Sequence, residues 1–152
     1  MTHTSEPAAN AGPRAAGVLL HPTSLPGPYG VGDLGDELIV FLDWAASAGM
    51  KIWQLLPLNP PGYGASPYGC LSSFAGTYLL ISPRRLQQDG LLPEHALDNA
   101  PHFADSFLDV QAAKDFKSRL LRLSFAHFNA NGRADQKAAL DQFERDNAWL
   151  HD

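Results

Sequence analysis

The sequence holds one cysteine, Cys70. A lone thiol cannot close an internal disulfide or build a thiolate zinc site, so disulfide scaffolds and zinc modules are excluded. Cys70 reads as a small, semi-buried side chain, because no base is patterned beside it to activate the sulfur. Cations are also scarce: 11 Lys and Arg stand against 16 Asp and Glu, a formal net charge of −5. Arg84-Arg85 is the only basic cluster, and two charges do not make a face for nucleic-acid phosphates. Apolar runs stop after a few residues, as in Val18-Leu19-Leu20, whereas a spanning helix needs about 20. The N-terminus lacks a basic segment followed by an apolar one, so residues 1–14 read as a disordered tail on a cytoplasmic protein. The six histidines are scattered without metal-ligand spacing. Gly27, Gly30 and Gly32 are too irregular for a dinucleotide fingerprint, and Pro28 removes an amide that a phosphate would use.

What the chain has in quantity is punctuation: 13 Gly and 12 Pro, gathered mainly between Pro22 and Gly35 and between Pro57 and Gly76. Two such blocks mean two long shaped loops, and loops of that kind carry function more often than fold. Each follows a short apolar run. Ala15 to His21 predicts a strand stopped by Pro22, and Lys51 to Leu56 predicts a second stopped by Pro57. Between them Leu34, Leu38, Phe41, Leu42 and Ala45 recur at spacings of three and four, which predicts a helix to about Ala48. Asp33 is its expected N-cap and Gly49 its exit. Strand, loop, helix, tight turn, strand, loop is a βαβ unit with parallel strands. Both loops then leave the carboxyl ends of the strands, the edge where α/β folds bind ligands.

Beyond the second loop, Tyr78 to Ser82 reads as a short extended segment. Ser82, Pro83 and Gly90 then punctuate a short helix, and Leu91 to Ala104 reads as irregular. A long helix is predicted from Asp109 to Asn131, with Phe116, Leu120, Leu123 and His127 as its stripe, widened by Leu121, Phe125 and Phe128. Gly132 ends it. A last helix from about Asp135 carries Leu140, Phe143, Asn147 and Leu150 on one side, with no C-cap signal before Asp152. Two parallel strands are not a covered sheet, and a closed (β/α)8 barrel takes about 250 residues. The expectation is therefore the N-terminal piece of a longer protein.

The chemistry concentrates in Gly62-Tyr63-Gly64-Ala65-Ser66-Pro67-Tyr68-Gly69, with Trp53 on the strand before it and Phe74 after it. Sugars stack their apolar ring faces on aromatics, and Tyr offers a flat face with a polar tip. On residues alone, Tyr63 and Tyr68 fit either such a site or simple loop packing. His21, at the carboxyl end of a strand, fits a site residue or a histidine hydrogen-bonded within its own loop. No two acidic residues are patterned as a carboxylate pair at strand ends, so no catalytic residue is assigned.

His21-Pro22-Thr23-Ser24-Leu25-Pro26-Gly27-Pro28-Tyr29-Gly30-Val31-Gly32-Asp33-Leu34-Gly35 resembles the N-terminal signature of the 4-α-glucanotransferases, also called amylomaltases or disproportionating enzymes. Trp53-Gln54-Leu55-Leu56-Pro57-Leu58 resembles the family's second-strand motif. Gly62-Tyr63-Gly64, Ser66-Pro67-Tyr68 and Ser73-Phe74-Ala75-Gly76 resemble the loop after it. The resemblance runs from about Ala15 to Asp152.

The resemblance implies an α/β fold: the first βαβ part of a (β/α)8 barrel over residues 15–82. A helical insert would occupy 83–152, with the chain ending inside it and the barrel incomplete. It implies transfer of α-1,4-glucan segments between maltooligosaccharides, with retention of configuration through a covalent glycosyl-enzyme. No metal or organic cofactor is implied, and the catalytic carboxylates are expected on later strands. Tyr68 would stack on the donor sugar, Ser66 would contact the donor glucan, and Tyr63 would serve a second glucan site. Ala65 and Thr77 depart from the family's frequent Asp and Asn. The expected partners are an α-1,4-glucan and the remainder of the barrel, with no nucleic acid and no membrane. The fragment itself is expected to be inactive. The alternative is a stand-alone, non-catalytic module that binds a glucan or a protein partner.

Overall fold

The computed structural model describes residues 14–62, 66, 68–104 and 108–151. Strand β1 (Gly17–Leu19) pairs in parallel with β2 (Ile52–Gln54), Gly17 lying opposite Ile52, Val18 opposite Trp53 and Leu19 opposite Gln54. Helix α1 (Asp36–Ser47) makes the crossover, so the βαβ reading holds. Both strands are shorter than the apolar runs that predicted them. One further bond lies at each end of the ladder, Lys51 N–H to Ala16 O and Leu20 N–H to Gln54 O. Pro22 and Pro57 then end any possibility of continuing it.

Asp33 does not cap α1. Gly35 is the N-cap, with no side-chain bond, and Asp33 is buried elsewhere. The first turn draws its negative charge from Asp36 and Glu37 instead, which suits the positive end of the helix dipole. Asp36 also pairs with Arg85 at 3.0 Å, so part of the only basic cluster is spent on α1. The helix exits as expected, with Gly49 at φ +76°.

Tyr78–Leu80 is a 3-10 turn rather than an extended segment. The Thr77 hydroxyl accepts from the Leu79 amide at 3.4 Å and holds the turn closed. Helix α2 (Pro83–Gln88) follows with Ser82 before it and Gly90, at φ +70°, after it. Helix α3 (Val110–Asn131) starts on Asp109, whose carboxylate accepts from the Ala112 amide, and stops at Gly132. Its buried face is Ala113, Phe116, Lys117, Leu120 and Ser124, rotated from the stripe expected through Leu123 and His127. Leu123 and Phe125 are exposed. Helix α4 (Ala134–Asp146) has no buried residue and ends on Asn147, whose side-chain NH2 donates to Phe143 O. A separate 3-10 turn, Ala148–His151, follows, so the apolar pattern through Leu150 is not one helix.

The core does not lie between the sheet and α1. Tyr29, Leu92, Phe116 and Leu120 form one cluster, with Phe103 packed against it, and Val31, Leu79 and Ala113 form another. Both join the first Gly/Pro loop to α3. The βαβ unit keeps apolar surface outward: Leu19, Ile52, Val40 and Trp44 are all more than half exposed.

Candidate functional site

The site is built on what leaves the carboxyl ends of β1 and β2. After β2 the chain folds back on itself. Pro61 bridges Cys70 in antiparallel fashion, the Leu71 amide donates to Pro60 O at 2.9 Å, and Gly62 N–H donates to Gly69 O. A Cβ on Gly62 would stand 2.6 Å from Gly69 O, so that crossing accepts only glycine. Lower down, Thr77 N–H donates to Leu58 O, and the Asn59 side chain donates to Ala75 O at 3.1 Å. The Tyr-bearing loop is therefore a pinned finger.

Ser66 and Tyr68 stand together at the end of this finger. The Gly69 amide donates to Ser66 O, and the Tyr68 amide reaches the Ser66 hydroxyl at 3.3 Å. Tyr68 is 75% exposed; its ring is presented to solvent rather than packed in the interior. Tyr63 and Ala65 lie outside the described residues. Cys70 is exposed, not semi-buried: as the bridge partner of Pro61 it sits on the finger's flank.

The other two aromatics serve packing. Trp53 is half-buried; its indole N–H donates to Leu20 O at 2.9 Å, and its ring meets Phe41 edge-on. Phe74, 73% exposed, stacks on Trp149 with centroids 5.9 Å apart, which ties the base of the finger to the turn after α4.

Beside the finger, at the same edge, lies a cavity of about 240 Å3. Ser24, Asn59, Thr77, Leu79 and Lys114 contribute to its wall, together with His21. His21 is a loop histidine: Nδ1 accepts from the Thr23 amide and bonds the Thr23 hydroxyl at 2.6 Å, closing the 3-10 turn Pro22–Ser24. Thr77 spends its hydroxyl on Leu79.

Beneath this wall sits an ion pair that the sequence pattern missed. Lys117 is 1% exposed. Its ammonium donates to Asp33 Oδ2 at 2.9 Å, Leu79 O at 2.6 Å and Ile81 O at 3.1 Å. Ser82 supplies a further hydrogen bond to Asp33. Burial pushes the Asp33 carboxyl above its usual range, against the pull of Lys117. The same burial pushes the Lys117 ammonium down, against the pull of Asp33. Desolvation outweighs attraction at both ends. The signal available in sequence was a lysine in line with Ala113, Leu120 and Ser124, a charge written into an apolar face.

Comparison with known proteins identifies the family. Residues 20–152 match the family model described as 4-alpha-glucanotransferase. The chain is 43% identical over 140 residues to a 4-alpha-glucanotransferase of Synechocystis sp., covering 91% of this chain and 28% of that protein. It is 43% identical over 141 residues to one of Thermus thermophilus (92% and 27%). It is 44% identical over 142 residues to a chloroplastic/amyloplastic one of Arabidopsis thaliana (91% and 24%). Among solved structures it resembles an amylomaltase from Streptococcus agalactiae in complex with acarbose, with TM-score 0.81 and 29% identity over 91% of this chain and 28% of that one. The chain thus spans about a quarter of the length of the relatives it matches. On the strength of the family model, the chain belongs to the 4-alpha-glucanotransferase family.

Proposed function

We propose that this chain is the N-terminal part of an enzyme that transfers α-1,4-glucan segments between maltooligosaccharides. Configuration would be retained through a covalent glycosyl-enzyme whose carboxylates lie on parts of the protein outside this chain. Residues 15–82 contribute the first βαβ unit of a (β/α)8 barrel, and residues 83–152 a helical insert. The outward apolar surface of Leu19, Ile52, Val40 and Trp44 supports this reading, since a completed barrel and its helix ring would cover it. The enzyme works in the cytoplasm and needs no metal or organic cofactor. Among the described residues, no helix is long and apolar enough to cross a membrane.

The observation that carries the proposal is the exposed Tyr68 ring on a pinned loop at the carboxyl edge. A sugar face stacks there, the Ser66 hydroxyl reaches a sugar hydroxyl, and Tyr63 serves a second glucan site away from the cleft. The test is titration of the chain with maltotriose, read by NMR, alongside Tyr68→Ala. The wild-type chain binds and leaves maltotriose chemically unchanged. The variant loses about tenfold or more in affinity, the loss of one stacking contact, with its melting curve unmoved. Equal affinity in both removes Tyr68 from the site.

A further inference from the structure

Three stretches distant in sequence meet at one buried nitrogen. Asp33 closes the first Gly/Pro loop, Leu79 and Ile81 belong to the turn at the root of the Tyr-bearing finger, and Lys117 lies two turns into α3. An ammonium has three protons to donate, and all three are used. Among the described residues, no buried side-chain nitrogen or oxygen is without a partner. The neighbours of this node wall the cavity: Val31 lies two residues before Asp33, Thr77 two before Leu79, and Lys114 one turn before Lys117. The Leu34 amide also donates to Leu80 O at 2.9 Å, so the two loops are stitched directly beside the ammonium.

We propose that Lys117 is a positioning residue: through one ammonium, helix α3 fixes where the first Gly/Pro loop and the Thr77–Ile81 turn stand, and so sets the width of the carboxyl-edge cavity. The geometry separates this from ordinary core packing. An apolar side chain in the same place would fill space, but it could not fix two carbonyls and a carboxylate in direction as well as distance. The inference goes beyond the glucan reading and depends on it only where a sugar serves as the probe.

The test is hydrogen exchange by mass spectrometry on the whole chain, with Lys117→Met and Asp33→Asn. In Lys117→Met, peptides covering Leu34 and residues 77–82 exchange at least about tenfold faster, while peptides covering β1 and β2 do not change, because the opening is local. Asp33→Asn keeps an acceptor for Lys117 and both carbonyl bonds, so its 77–82 peptides remain protected. If Lys117→Met fails to fold, Asp33→Asn decides alone: protected 77–82 peptides support the proposal and loosened ones overturn it. Faster exchange spread evenly over the chain, or loosening of 77–82 by Asp33→Asn as large as that by Lys117→Met, overturns the proposal. A maltotriose titration adds a functional readout: Lys117→Met binds about tenfold more weakly than wild type with its β1–β2 protection intact. If the wild-type chain does not bind maltotriose, the glucan reading fails and the exchange pattern alone decides the role of Lys117.

Discussion

Replacing Gly30 with Ala tests whether the first Gly/Pro loop is clamped by the segments that pack on it. Gly30 sits at φ +84°, where an L-residue costs about 1–2 kcal/mol. Its added methyl would stand 2.7 Å from two carbons of the Phe103 ring and 3.0 Å from Ala113 Cβ. Ala113 is fully buried on α3 and cannot retreat, and Phe103, partly buried, can move aside only by giving up its edge-on contact with Phe116 at 5.7 Å. Overpacking of this kind adds about 1–3 kcal/mol. The sum is about 2–5 kcal/mol, a large share of the roughly 5–15 kcal/mol that holds a domain folded.

Gly49 provides an internal control. It has φ +76°, and nothing lies within 4 Å of where its Cβ would be. Gly49→Ala therefore carries the backbone strain without the clash, and part of that strain is offset by a stiffer unfolded chain, worth about 0.4–1 kcal/mol. Urea unfolding, followed by circular dichroism at low protein concentration, gives both values. Gly30→Ala exceeds Gly49→Ala by at least about 1 kcal/mol. Equal losses would mean that Phe103 and Ala113 do not press on the loop, and the shared core of loop and α3 would be wrong.

Two further outcomes follow from charge and from exposed surface. Because Asp33 is raised above 3.8, the folded chain holds that proton more tightly than the unfolded chain. Its contribution is complete below pH 3.8 and is lost as pH rises through the folded value. Stability of Asp33→Asn measured against pH is flatter than wild type in the window just above 3.8, and parallel curves there would refute the shift. Val40 and Trp44 are 69% and 55% exposed on α1. The double variant Val40→Lys/Trp44→Glu reduces self-association in sedimentation without lowering the melting temperature; unchanged association would show that this face is not the adhesive one.

The βαβ unit was legible because its signals are local. Pro22 and Pro57 end strands wherever they occur, and the spacing of Leu38, Phe41, Leu42 and Ala45 marks one helical face regardless of its neighbours. Glycine at residues 49, 90 and 132 ended helices for the same reason. The Tyr-bearing loop was legible as chemistry but not as shape: that it is a pinned finger depends on Gly62 meeting Gly69 and on Asn59 reaching Ala75, pairings that no periodicity announces. Trp53 and Phe74 counted toward a sugar platform by nearness in sequence, yet their rings meet Phe41 on α1 and Trp149 after α4, partners outside that loop.

Asp33 shows most clearly where local reasoning ends. An aspartate just ahead of an apolar helix is a good cap by every nearby criterion. It is recruited instead by Lys117, 84 residues away. The competition turns on burial. A capping carboxylate at a helix start keeps much of its hydration, whereas Asp33 is only 6% exposed and has to be matched by a counter-charge. Once Lys117 fills that role, the face of α3 turns until its lysine points inward, which is why Ala113 and Ser124 are buried and Leu123 is not. A single long-range ion pair thus accounts for both departures, the missing cap on α1 and the rotated stripe on α3. Both sit beside the cavity wall because that is where the first loop, the Thr77–Ile81 turn and α3 converge.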